Sequence, residues 1–147
     1  MILLGLTIGW SGDKPLRAID ELTDEIASIK IGGRFGYCHT GGGTNCVVDG
    51  DTFWVDGEKV RIADIDAPET HPSRCAEEDR LGRAATRRLQ ALLNAGPIEL
   101  QAVDRPYDRY GRRLAIVTRG GRSLGDMLVE EQLARPYGNG RRPWCDA

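Results

Sequence analysis

The alternation of apolar and polar residues is clearest between residues 47 and 70, where it predicts a β-hairpin. Strand-forming residues lie on both sides of Asp56-Gly57, a dipeptide that favours two-residue hairpin turns. They are Thr52, Phe53 and Val55 before the turn, and Val60, Ile62 and Ile65 after it. We therefore expect two paired strands here, followed by an acidic loop.

Apolar residues at helical spacing predict helices in three places. Residues 76–93 carry an apolar stripe that ends at Asn94-Ala95-Gly96-Pro97, and a glycine followed by proline is typical of a helix end. Residues 15–31 show the same spacing with acids between the apolar positions, which predicts an amphipathic helix that packs against the rest of the fold. Ser123 can cap a third, short helix.

Further short strands are expected at residues 98–103, 114–118 and 134–137. Several short strands with one inserted helix suit a small closed barrel, and the OB-fold that binds oligonucleotides is such a barrel. The predicted fold class is α+β and mainly β: a five-stranded OB-fold barrel with an inserted helix, plus the N-terminal amphipathic helix. We divide the chain into an N-terminal extension, residues 1–36, and a main domain, residues 37–147.

Length and charge change this picture little. A chain of 147 residues that is 40% hydrophobic suits one core. The formal net charge of -2 argues against a protein that coats nucleic acid by bulk electrostatics. The charge is uneven, however, because residues 104–147 hold nine arginines and six acids, a local net charge of +3. This leaves room for a local cationic face, although an ordinary solvated surface explains the same charges.

The apolar residues 1–10 are too few to span a bilayer, which takes about 20. They also lack the basic start and the small-residue cleavage site of a signal peptide. A remnant of a longer anchor and a packed or unfolded arm both remain open. We expect a membrane tether only if the chain continues before Met1.

Four cysteines occur, Cys38, Cys46, Cys75 and Cys145, without any Cys-x-x-Cys spacing. This count favours two disulfides over a zinc site, even with two histidines nearby. We expect Cys38 to pair with Cys46 and Cys75 with Cys145, while four reduced thiols remain the alternative. Two bridges in a small domain favour an extracytoplasmic setting (periplasmic, secreted or membrane-tethered) over the cytoplasm.

Acidic residues flank the predicted hairpin on both sides. Asp49 and Asp51 stand at its start; Asp64, Asp66 and Glu69 follow its end. Folding of the hairpin would bring the two groups together, and hard cations bind carboxylate, carbonyl and water oxygens. Asp51 with Asp66 is therefore a candidate metal pair, against the alternative of a polar loop between strands.

Three separated motifs resemble the staphylococcal nuclease (thermonuclease) family. They are Asp49-Gly50-Asp51-Thr52, the segment from Arg61 to Glu69 with its Asp-Ala-Pro-Glu ending, and Asp108-Arg109-Tyr110-Gly111-Arg112. They occur in the family's order and at matching spacings, between residue 47 and about residue 137. The resemblance implies a nuclease-like OB-fold domain, and an endonuclease or phosphodiesterase that hydrolyses single-stranded DNA or RNA with Ca2+ as cofactor.

The resemblance also implies roles for single residues. Asp51 and Asp66 would bind Ca2+ together with the main-chain carbonyl of Ala67, where better-known members carry Thr. Glu69 would orient or deprotonate the attacking water.

Two arginines, Arg61 and Arg112, would hold the phosphate with paired donors, a task that suits a planar guanidinium group. Tyr110 and Tyr137 are candidates for contact with phosphate or a base, although an aromatic residue in a barrel more often packs.

A non-catalytic OB module that only binds nucleic acid is the alternative to an enzyme. Retention of the whole set Asp51, Arg61, Asp66, Glu69 and Arg112 favours the enzyme, because a binding module has no need of it. Nucleic acid is the expected partner. No protein partner is implied, and we expect a monomer.

Overall fold

The computed structural model of this protein describes residues 30–39, 43–138, 140 and 143–145. The apolar segment 1–10 and the predicted helix up to residue 29 lie outside the described residues. The last two residues of that predicted helix form a strand instead, β1 (Lys30–Ile31), which pairs with Ile98 and Glu99. The prediction was wrong there because pairing with a distant strand outweighs a local helical pattern.

The described residues form nine further strands and two helices in chain order. They are β2 (Gly36–Tyr37), β3 (Cys46–Asp49), β4 (Thr52–Val55), β5 (Glu58–Ile62), β6 (Ile65–Asp66), α1 (Ala76–Asn94), β7 (Ile98–Tyr107), β8 (Arg113–Arg119), β9 (Arg122–Ser123), α2 (Leu124–Glu130) and β10 (Arg135–Pro136).

The strands form a mixed sheet in the order β1-β7-β8-β5-β4-β3-β2, with β9 paired to β8. Two of these pairings are parallel, β2 with β3 and β5 with β8, and the others are antiparallel. Strands β6 and β10 pair separately. The predicted α+β, mainly β fold of the OB type is confirmed, and the strand path among the described residues is open, in keeping with the partly open OB barrel.

The predicted hairpin is present. Val55 lies opposite Glu58 across a turn in which Asp56 has φ 50° and Gly57 φ 80°. Two positive φ values match the right-handed twist of the flanking strands, and Asp-Gly tolerates them. Side chains alternate across a strand, so Val60 and Ile62 enter the core while Arg61 between them points to the other face.

Helix α1 extends one residue beyond the predicted stripe and covers the sheet. Its apolar face, including Leu89 and Leu93, is buried with Phe35 and Phe53, whose rings meet edge to face at 6.1 Å between centroids. Cys75 is the N-cap, since its Sγ accepts a hydrogen bond from the Glu78 N–H at 3.4 Å. The described core is one continuous cluster.

Two glycines allow the acidic loop to approach the helix closely. A Cβ added at Gly50 would lie 2.6 Å from Cβ of Ala85 and 2.8 Å from Cβ of Ala67. A Cβ added at Gly82 would lie 2.5 Å from Cγ2 of Thr70 and 2.9 Å from the carbonyl oxygen of Pro68. Side chains at these positions would push the loop away from the helix.

Over the described part of the chain, none of the helices combines the length and the apolar character that a membrane crossing requires.

Candidate active site

A cavity of about 820 Å³ opens between the acidic loop, β10 and the residues that follow β10, which we call the C-terminal segment. Six of the residues singled out from the sequence line it: Arg61, Asp66, Ala67, Glu69, Arg112 and Tyr137. They come from three separate stretches of the chain. The fold therefore brings most of the candidate site to one place.

Arg61 stands between the two candidate metal ligands. Its Nη2 lies 2.7 Å from Oδ1 of Asp66 and 3.5 Å from Oδ2 of Asp51. The hairpin register explains this meeting, because Arg61 pairs with Thr52, the residue after Asp51. The folded hairpin thus joins the two acidic groups through the arginine of the opposite strand.

Main-chain oxygens and an aromatic ring further fix Arg61. Its Nη1 donates to the carbonyl oxygens of Ile62 and Ile65, the latter at 3.1 Å. The guanidinium carbon lies 5.6 Å from the centroid of the Tyr137 ring. Only 12% of the side chain is exposed, so the guanidinium group is held in one orientation toward the cavity.

The oxygen atoms around Arg61 belong to carboxylates and carbonyls, the groups that bind hard cations. Asp51 is itself oriented, since its Oδ2 accepts a hydrogen bond from the Ala67 N–H at 3.0 Å and its Oδ1 one from the Thr52 hydroxyl at 2.9 Å. Within the described residues, no three His, Cys, Asp or Glu side chains form a ready metal cluster. Two carboxylates would therefore need carbonyl and water oxygens to complete a Ca2+ shell.

Asp49 is buried and lies next to Asp51. Burial, together with the negative charges of Asp51 and Glu69, raises the pKa of Asp49 to about 8. Its Oδ1 accepts a hydrogen bond from the Asp51 N–H at 3.2 Å. The crowding of three carboxyl groups is unfavourable by itself, and a bound cation would relieve it.

Asp64 belongs to the same acidic stretch but serves another purpose. Its Oδ2 accepts a hydrogen bond at 2.7 Å from the hydroxyl of Ser123, which in turn accepts one from the Asp126 N–H at the start of α2. Asp64 therefore fixes the cap of the short helix.

Arg112 reaches the cavity from a tight loop organised by Asp108. Oδ2 of Asp108 accepts a hydrogen bond from Nε of Arg112 at 2.6 Å, and Oδ1 accepts from the main-chain N–H groups of Tyr110 and Arg112 at 2.9 and 3.0 Å. Burial pushes the pKa of Asp108 up, but these hydrogen bonds outweigh it and leave the pKa below its ordinary value. Asp108 is thus a charged anchor that orients Arg112.

The two candidate tyrosines differ in position. Tyr137 lines the cavity and packs on Arg61. Tyr110 is exposed and does not line it; its ring lies 4.8 Å from the guanidinium carbon of Arg109 and 5.4 Å from that of Arg112. The structure thus brings only Tyr137 into the site.

The structure contains both expected disulfides. Cys38 is bonded to Cys46, and Cys75 is bonded to Cys145. The second bridge fastens the C-terminal segment to the start of α1, at the edge of the cavity.

Residues 59–143 match the family described as Staphylococcal nuclease homologue. The chain belongs to the staphylococcal nuclease family. The matched range includes the two motifs around Arg61 and Arg112 and begins after the Asp49–Thr52 motif.

Three relatives of this nuclease homologue come from bacteria. Endonuclease YncB of Bacillus subtilis (strain 168) is 40% identical over 95 residues, which is 60% of this chain and 44% of the relative. Thermonuclease of Staphylococcus intermedius is 34% identical over 93 residues, 60% of this chain and 55% of the relative. Succinoglycan biosynthesis protein ExoI of Rhizobium meliloti (strain 1021) is 34% identical over 94 residues, 60% of this chain and 48% of the relative. The aligned region thus spans about half the length of these relatives.

Among the cavity-lining residues of this family member that sequence reasoning missed, three have cationic or aromatic side chains: Arg74, Arg135 and Trp144. None belongs to the motifs that carry the family resemblance. A signal was nevertheless present, because the expected bridge between Cys75 and Cys145 joins the neighbours of Arg74 and Trp144.

Proposed function

We propose that this protein is a Ca2+-dependent endonuclease that hydrolyses phosphodiester bonds of single-stranded DNA or RNA. One observation carries the proposal: Arg61, Glu69, Arg112 and Asp66 line the same cavity, with Asp51 bound to Arg61. Metal-assisted hydrolysis of a phosphodiester needs a metal, a group that positions or deprotonates water, and cations for the phosphate. This cavity combines side chains suited to each task.

In the proposed site, Asp51, Asp66 and the main-chain carbonyl of Ala67 hold Ca2+. A bound Ca2+ would supply Lewis-acid chemistry at the phosphodiester. The side chain of Asp66 is 46% exposed, so it has room to turn from Arg61 toward such an ion.

Glu69 orients the attacking water and accepts its proton. It lies on the loop after β6, and Pro68 limits the backbone freedom of that loop. Arg61 and Arg112 face the phosphate as guanidinium groups fixed in advance by carboxylates, and fixed donors stabilise developing charge without reorganising during the reaction.

The second candidate function is nucleic-acid binding without catalysis. It is favoured by the engagement of Arg61 with both candidate metal ligands, because such an ion-pair network is also a stable structural unit by itself. In that case the cavity would bind single strands, and the carboxylates would hold only the arginine.

Cleavage of denatured DNA and of RNA, titrated with Ca2+ against a chelator, distinguishes the two functions. We expect Ca2+-dependent cleavage by the parent, a higher Ca2+ requirement for Asp51→Asn and Asp66→Asn, and a lower rate with altered pH dependence for Glu69→Gln. Binding without cleavage under every divalent cation tested would contradict the enzyme and support the binding module.

We also propose that the protein works in an oxidising, extracytoplasmic compartment. The two disulfides support this setting, because such bonds persist where thiols are not kept reduced. Mass spectrometry of non-reduced peptides from protein isolated in its native compartment tests the proposal. Four free thiols there would contradict it.

A further inference from the structure

The Cys75–Cys145 disulfide brings together two parts of the cavity wall that are far apart in the chain. The two cysteines are separated by 70 residues, and their Cα atoms lie 6.0 Å apart. Arg74 precedes the first cysteine and Trp144 the second, and both side chains line the cavity. The bridge therefore joins the neighbours of a cation and of an aromatic ring that line the same cavity as the proposed catalytic residues.

Arg74 is oriented by a carboxylate that is completely buried. The side chain of Glu78 is 0% exposed; its Oε1 accepts from the Arg74 main-chain N–H at 2.7 Å and from Nε at 3.3 Å, and its Oε2 accepts from Nη2 at 3.0 Å. Burial of a charge is costly unless it is paired and hydrogen-bonded. Here the buried carboxylate of Glu78 pairs with one arginine, Arg74, whose own side chain is 66% exposed.

Trp144 is half-buried and lies against another arginine of the cavity. The guanidinium carbon of Arg135 is 3.7 Å from the centroid of the Trp144 ring. Arg135 is in turn placed by β10, where it pairs with Asp66 of β6. The tryptophan is thus held on one side by the disulfide and on the other by Arg135 of β10, the strand that pairs with the candidate metal ligand Asp66.

A cation and an aromatic ring that line one cavity suit one nucleotide of a single strand. Proteins that bind single strands combine cations along the backbone with aromatic platforms on which bases stack. Building on the proposed function, we infer that Arg74 and Trp144 form a subsite for a nucleotide one step beyond the two that flank the scissile phosphate. Arg74 contacts its phosphate and Trp144 stacks on its base.

A structural role alone predicts a different behaviour. If Arg74 only neutralised Glu78, and Trp144 only filled space beneath Arg135, their replacement would lower stability without a selective effect on longer substrates. Substrate length therefore separates the subsite from a purely structural role.

The test compares a thymidine dinucleotide with a thymidine octamer of single-stranded DNA. Cleavage of both is measured with Ca2+, and octamer binding is measured with a chelator, for the parent and for Trp144→Ala, Trp144→Phe, Arg74→Gln and Arg74→Lys. Arg80→Gln is the matched control, because Arg80 is also 66% exposed, also paired with an acid of α1, and absent from the cavity lining. Melting temperatures are recorded for all variants, and Arg74→Lys keeps a charge beside Glu78 if Arg74→Gln does not fold.

We expect Trp144→Ala and the Arg74 variants to weaken octamer binding about tenfold. Their kcat/KM should fall more on the octamer than on the dinucleotide, with Trp144→Phe closer to the parent and Arg80→Gln equal to it.

Equal losses on both substrates, or parental octamer binding by Trp144→Ala and Arg74→Lys, would overturn the subsite even if the parent is a nuclease. A parent that binds but does not cleave, with binding weakened in these variants, would support the subsite and overturn the hydrolysis. A parent that neither binds nor cleaves would overturn both.

Discussion

Arg61 lies among four oxygen atoms of the protein: one from each of Asp51 and Asp66 and the carbonyl oxygens of Ile62 and Ile65. The guanidinium group can serve all of them because it has five donors in a fixed plane. A lysine has only three donors around one nitrogen. The same geometry that would hold a phosphate therefore also holds the site together.

We expect Arg61→Lys to lower turnover by about a hundredfold or more and to lower the free energy of unfolding by about 1–3 kcal/mol. The physical reason is the loss of paired donors to phosphate and of hydrogen bonds to partly buried oxygens. Steady-state kinetics with saturating Ca2+ and urea unfolding measure the two effects. Parental kinetics of this variant would contradict the role given to Arg61.

The Asp108 carboxylate, which holds the loop of Arg112, should make the free energy of unfolding depend on pH in acid. Its pKa in the folded protein lies below that of the unfolded chain, about 3.9. The stabilisation is therefore present above pH 4 and is lost as the pH falls through the lower, folded pKa. We expect the free energy of unfolding to decrease as the pH falls below about 4, and to decrease less steeply in Asp108→Asn. Urea unfolding of both proteins at a series of pH values measures this. The same pH dependence in both proteins would contradict the role of Asp108.

At the scale of elements, α1 and the acidic loop are positioned by their close contact. Gly82 permits the contact on the helix side, where an added Cβ would meet Thr70 and the carbonyl oxygen of Pro68. The loop that carries Glu69 is therefore placed by a helix residue that takes no part in the chemistry.

We expect Gly82→Ala to lower the free energy of unfolding by about 1–3 kcal/mol, because a methyl group in a closed contact forces the loop outward. Cleavage should fall as well, since Glu69 moves with the loop. Gly36→Ala is the control, because nothing lies within 4 Å of an added Cβ there. Thermal unfolding and the cleavage assay measure both variants, and a Gly82→Ala protein as stable and active as the control would refute the argument.

At the scale of the whole molecule, a chain with a net charge of -2 concentrates cations at one cavity. Four arginines line it, Arg61, Arg74, Arg112 and Arg135, and the first three are paired with carboxylates of the protein. Electrostatic attraction to nucleic acid should therefore be local and of moderate strength.

We expect about three phosphate contacts, so log K for a single-stranded octamer should fall against log salt with a slope of about -2. Binding titrations in a chelator between low and physiological salt measure the slope. A slope near zero, or one as steep as about -5, would contradict binding confined to this cavity.

The sequence by itself determined the elements whose signals are local. The Asp56-Gly57 hairpin, the apolar stripe of α1 and the Ser123 cap all depend on neighbouring residues, and the structure contains each of them. The resemblance of short motifs indicated the family and the residues around Arg61 and Arg112. These features survive folding because distant contacts do not compete with them, and the hydrogen bond from Ser123 to Asp64 supports the cap.

Only the tertiary structure decided which distant residues meet. Lys30–Ile31 became a strand through pairing with β7, and parallel pairing of β5 with β8 brought the Arg112 loop toward Arg61. The burial of Glu78 beneath Arg74 and the approach of Trp144 to the cavity likewise depend on contacts across the fold. Local periodicity does not indicate such contacts, because residues far apart in the sequence interact only once the chain has folded around its core.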